Sequence, residues 1–232
     1  MGFRGVLHGE RPCMAAYRMG RIAKKGGNGM ESRHWEDLES RLRRDRDRIG
    51  RADERWVREA FRAWTHHLRC DGGTLSHDHE DALAVGMGVS LAIRDALIVS
   101  LVSGPEGCDE RRMVAFASRP HDPPNVRVMY RILRRAFDDE DAVLDVDRCR
   151  RGLVMIDGIM SRVPGRLRAQ PMALSGYIHW WMGEKRGLGL ARAALAIDGT
   201  CSRAAIVTSA YDRDIFPANA LARSTGRTGC WC

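Results

Sequence analysis

AQPMALSGYIHWWMGEKRGLGLARAALAIDGTCSRAAIVTSAY, residues 169–211, is the stretch that decides the fold. Leu174, Tyr177, Ile178 and Trp181 recur at helical spacing. After a break at Gly183, Leu188, Ala191, Ala194 and Leu195 do the same. Each stripe is apolar on one face, so each short helix needs a neighbour to cover it. This is the pattern of a helical-hairpin array.

The same period extends toward the N-terminus. Trp35, Leu38, Leu42 and Ile49 form a narrow seam on a charge-dense helix that begins with Ser32 as N-cap and stops at Gly50. Val57, Ala60, Phe61, Trp64 and Leu68 mark a second helix that completes an antiparallel hairpin. Beyond the Gly72-Gly73 loop, Asp78 is expected to cap a helix that Gly86 and Gly88 interrupt. Val89, Ala92, Ile93, Ala96, Leu97 and Leu101 give the best-patterned helix. A shorter one follows near 110–117. Asn125 is expected to cap a helix carrying Val126, Met129, Tyr130, Leu133 and Phe137, and a long helix then carries Val146, Cys149, Leu153, Ile156, Met160 and Val163. Gly152 and Gly158 weaken that last helix, and close packing by a neighbour accounts for their presence. No alternating strand pattern occurs. The expected class is all-α: antiparallel helical hairpins packed as an irregular bundle, tetratricopeptide-like toward the C-terminus.

Composition sets the organisation. The chain has 232 residues, 44% of them hydrophobic, enough for one or two domains with a real core. Residues 1–30, rich in Gly and Arg, read as a disordered basic leader, and 218–232 as a disordered tail. The proline-rich connection Arg119–Asn125 divides a helical subdomain at 31–118 from a helical-hairpin subdomain at 125–217. Mean hydropathy is −0.37 and no apolar run reaches membrane length, so a cytoplasmic setting is expected. Seven scattered cysteines without a CxxC pair fit reduced thiols.

The net charge of +8 is uneven: residues 1–30 carry +5 and residues 71–124 carry −5. Only three of the 38 basic Lys and Arg residues are Lys, a skew that follows from a GC-rich genome and is not by itself a sign of nucleic-acid binding.

Two stretches carry resemblances. Gly183–Asp198, GEKRGLGLARAALAID, resembles the second part of a tetratricopeptide repeat, with Gly199 where that repeat has Pro. The segment Arg94–Ile98, the Pro123–Val126 entry and the Pro171–Gly183 run resemble the helical C-terminal half of an actinobacterial domain-of-unknown-function family over residues 80–217. The resemblance implies an all-α fold and brings no catalytic residues.

Candidate chemistry is sparse. His66, His67, Cys70, Asp71, His77, Asp78, His79, Glu80 and Asp81 gather ligand types, but adjacent histidines on a helix point about 100° apart, and no closed zinc spacing is present. Asp138–Asp141 with Asp145 and Asp147 lacks the alternation of a calcium loop and reads as helix-terminal acids. Ser175 has no nucleophile elbow around it. No cofactor, metal or catalytic residue is expected. Tyr177, Trp180 and Trp181 are the candidate partner surface of a protein-interaction scaffold. The alternative is a nucleic-acid-associated module using Arg127, Arg131, Arg134 and Arg135, a stripe at i, i+4, i+7 and i+8 opposite Met129 and Leu133.

Overall fold

The computed structural model describes residues 28–48, 51–70, 73–103, 107–139 and 141–220. Within them the chain is all-α, with no strand. In order the helices are α1 (Asn28–Arg48), α2 (Ala52–Arg69), α3 (His77–Val89), α4 (Leu91–Val102), α5 (Glu110–Ser118), α6 (Pro123–Asp138), α7 (Val146–Arg162), a 3₁₀ turn (Gly165–Arg168), α8 (Ala169–Trp181), α9 (Arg186–Ile197) and α10 (Ser202–Asp212). No single helix among these residues is long and apolar enough to cross a membrane. Most of the expected leader and tail, with Ile49, Gly50 and Asp71, lies outside the described residues.

The predicted faces of α2 and α7 are the buried ones. Val57, Ala60, Phe61, Trp64 and Leu68 are buried on α2; Cys149, Leu153, Ile156 and Met160 are buried on α7. The start of α1 differs. Asn28–Met30 already belong to the helix, so Ser32 is not its cap; the Ser32 hydroxyl instead donates to Glu36 one turn on. Capping of α3 falls to Ser76, whose Oγ accepts the His79 N–H at 3.4 Å, and Asp78 sits inside the first turn. Gly86 and Gly88 do not interrupt α3. The break comes at Ser90, where α3 and α4 meet at 117°. Asn125 caps nothing on α6 either: its amide donates to the Ala115 and Arg119 carbonyls and ties α6 to the end of α5.

The connection at 119–125 does not divide the core. One continuous cluster of buried side chains runs from Trp35 on α1 to Ala210 on α10. Trp64 of α2 donates to Ser100 Oγ of α4 at 3.0 Å, and Arg148 of α7 donates through Nε to the Ser100 carbonyl at 2.8 Å. The α7 glycines are packing glycines. A Cβ at 152 would stand 2.5 Å from Leu101 Cδ2, and one at 158 would stand 2.7 Å from Glu80 Oε1.

At the centre lies α8. Its expected one-sided burial is replaced by burial all round: Leu174, Ser175, Gly176, Tyr177, Ile178, His179, Trp180 and Trp181 are all inside. It packs on α3, α4, α7, α9 and α10. The approach to α9 is close because two glycines face each other. A Cβ at Gly187 would meet Gly176 O at 2.7 Å and Trp180 N at 3.0 Å, both backbone atoms that cannot rotate away. Gly187→Ala is therefore expected to destabilise the chain by about 1–3 kcal/mol through overpacking, outweighing the roughly 1 kcal/mol that alanine gains as a helix former. A thermal melt checks this; an unchanged or raised midpoint contradicts it.

Candidate nucleic-acid interface

α6 has a strongly two-sided sequence, yet little of it is deeply buried, because it lies on the edge of the bundle against α4 and α5. Pro123 opens it at a position where a missing N–H costs nothing. Ala136 is its only fully buried residue; Val128, Met129, Ile132, Leu133 and Phe137 pack partway onto the core. Val126 and Tyr130, expected on the apolar face, are instead 48% and 63% exposed. The apolar arc is wider than the strip that α4 and α5 cover.

Arg127, Arg131, Arg134 and Arg135 are all exposed on this outer side, and Tyr130 lies beside them. With Asp138 their side chains enclose a shallow cup of about 520 Å³. Arg134 pairs with Asp138 at 3.2 Å and Arg135 with Asp139 at 3.6 Å, both one turn apart. The bond to Asp138, with Tyr130 beside it, holds the Arg134 guanidinium above its ordinary pKa. Arg127 and Arg131 have no ion-pair partner among the described residues. The stripe therefore offers two unpaired cations at its N-terminal end and two weakly paired, salt-screened ones near its C-terminal end.

The other candidate surface is not at the surface. Tyr177, Trp180 and Trp181 are 7%, 4% and 1% exposed. Trp180 donates to the Ile215 carbonyl at 2.8 Å, Phe137 of α6 lies 5.9 and 6.0 Å from the two indole rings, and Arg203 of α10 stacks 4.7 Å from the Tyr177 centroid. Adjacent tryptophans point in different directions on a helix, and here each direction ends in another part of the same chain. They are core residues and present nothing to a partner.

The His/Cys/acid run separates into two neighbourhoods. His66 and Cys70 approach each other at the end of α2, with Sγ 3.8 Å from Nε2. Burial lowers the pKa of His67, as do His66 and His79 nearby. Glu80 and Asp81 turn the opposite way, into the bundle, where Arg162 holds Glu80 at 2.9 Å and Asp81 at 2.7 Å, and His34 reaches Asp81 at 2.9 Å. Among the described residues no three His, Cys, Asp or Glu side chains converge as a metal site. Asp145 of the acidic run caps α7, accepting the Arg148 N–H at 2.8 Å.

Composition and charge counting gave no place to buried arginines. Arg94 and Arg148 lie inside the bundle; Arg94 bonds Asp95 and Gln170, and Arg203 also reaches Asp95 at 2.9 Å. The position of Arg94 in the middle of an apolar helix is the one signal the sequence held for this. No protein-family model, curated protein or solved structure matches the chain.

Proposed function

We propose that the chain is a non-catalytic, nucleic-acid-associated helical module that grips phosphates through the outer face of α6. The observation that supports this reading is the placement of Arg127, Arg131, Arg134 and Arg135 together on one uncovered helix face beside the exposed Tyr130. Arg127 and Arg131, unpaired among the described residues, with Arg134 and Arg135 only weakly held by Asp138 and Asp139, make a local cationic patch that a polyanion neutralises with release of its counterions. The alternative, a protein-interaction scaffold, draws no support from Tyr177, Trp180 and Trp181, which are buried. A non-catalytic role is proposed because Glu39, Glu80 and Asp81, the acids buried deepest, are each tied to an arginine from another turn or helix. A cytoplasmic setting belongs to the same proposal.

Fluorescence anisotropy with a labelled oligonucleotide, titrated from low to physiological ionic strength, tests it. Four phosphate contacts on a single strand give a slope of log K against log salt of about −3. Arg127→Ala with Arg131→Ala removes the two cations that have no ion pair to break first, and is expected to lower the affinity at every salt concentration and roughly halve that slope. A flat salt response, or no binding at low salt, removes the reading.

A further inference from the structure

The proposed contact with nucleic acid leaves open which form is bound, and the ring beside the stripe bears on that. We infer that α6 selects single-stranded over duplex nucleic acid, with Tyr130 as the platform on which an unstacked base lies. The inference rests on the phosphate-binding reading above and deepens it.

Three features of α6 lead to it. First, Tyr130 stands 63% exposed on the flank of the arginine stripe, one turn from Arg127 and one turn from Arg134. A strand whose backbone follows Arg127, Arg131 and Arg134 passes beside the ring, and a base that is free of its own stack can swing onto it. In a duplex the bases are already stacked inside, so an aromatic side chain beside a row of phosphate contacts has no face to meet. Second, the apolar patch continues to Val126, which is 48% exposed one turn earlier, so the ring lies on a strip that excludes water and not on an isolated point. Third, the one amide on this helix, Asn125, already gives its hydrogens to the Ala115 and Arg119 carbonyls. Without a free Asn or Gln, the face lacks the bidentate group that pairs with adenine in a major groove and could read only guanine there through its arginines, whereas stacking tolerates every base.

The acids set the extent of the site. Asp138 and Asp139 compete for Arg134 and Arg135 at the C-terminal end, so the strand contacts Arg127 and Arg131 most strongly and the other two more weakly. That span of little more than two turns matches a short stretch of single strand, a few nucleotides long.

The test compares a labelled oligo-thymidine strand with a blunt duplex of equal length and mixed sequence, at one low salt concentration. The wild-type chain is expected to bind the single strand about tenfold more tightly, the magnitude of one base-on-aromatic contact. Tyr130→Leu keeps an apolar, helix-compatible side chain at this exposed position, so folding is retained, and circular dichroism verifies it. This variant should lose the tenfold preference while its duplex affinity stays unchanged; Tyr130→Phe should keep the preference. Equal affinity of the wild-type chain for both forms overturns the inference, as does a preference that survives Tyr130→Leu, and both leave phosphate binding standing. Absence of binding to either form overturns the phosphate-binding reading itself.

Discussion

Trp181→Ala is expected to destabilise the fold by about 3–5 kcal/mol, the usual cost of emptying a buried aromatic site. For a chain of this size that lowers the melting midpoint by roughly 6–20 °C. The reason is local. Trp181 is 1% exposed, lies edge-on to Phe137 at 6.0 Å and to Tyr177 at 6.1 Å, and ends the helix that five others pack around. Backbone contact between α8 and α9 at Gly176 and Gly187 prevents the two helices from closing further to fill the space. Trp180→Ala should also melt early, because Trp180 is equally enclosed and its indole N–H anchors the Ile215 carbonyl. A ligand-groove or partner-surface tryptophan behaves differently: its removal leaves the melt nearly unchanged and alters binding. A normal melt for Trp180→Ala, beside a low one for Trp181→Ala, would restore the partner-surface assignment for that residue.

Apolar spacing was a reliable guide wherever a helix buries one face. Val57, Ala60, Phe61, Trp64 and Leu68 are all inside, and so are Cys149, Leu153, Ile156 and Met160. Spacing states that a face exists but not how much of it a neighbour covers. On α8 the neighbours close round the whole cylinder, taking in Ser175 and His179; on α6 they cover less than the apolar arc and leave Val126 and Tyr130 in water. Those opposite departures bury the candidate surface on α8 and leave the one on α6 exposed. Caps were legible in kind and not in place. Ser76 and Asp78 are both good cap formers two residues apart, and only the backbone decides which has the extended conformation that lets its oxygen reach back. Long-range ion pairs were the least legible of all. Arg162 meets Glu80 and Asp81 across some eighty residues of chain, and nothing in the local sequence of either end marks the other.

That pairing supports the second large prediction. Arg162→Met leaves two largely buried carboxylates without their shared counter-charge, and is expected to cost about 3 kcal/mol at neutral pH, the low end of the range for breaking a buried pair because Arg162 itself is partly solvated. The pH dependence separates this account from simple loss of packing. In the wild-type chain burial raises the Glu80 pKa above its ordinary value, the positive charges of Arg162 and His77 oppose the rise, and the neighbouring Asp81 adds to it. A carboxyl with a raised folded-state pKa favours folding most below its unfolded pKa, and that contribution disappears as pH climbs through the folded value. Taking away Arg162 removes the largest opposing charge, so the folded pKa of Glu80 moves higher and protonation relieves the variant over a wider range. Its stability deficit, measured by urea unfolding, should accordingly shrink as pH falls from neutral toward about 5, where a larger fraction of the variant's Glu80 is neutral. Arg162→Lys should fall between the two, since a single ammonium cannot serve Glu80 and Asp81 through separate nitrogens as the guanidinium does at 2.9 and 2.7 Å. A deficit that is the same at both pH values would mean that these acids keep their charge without Arg162, and the role assigned to it at the junction of α3 and α7 would be wrong.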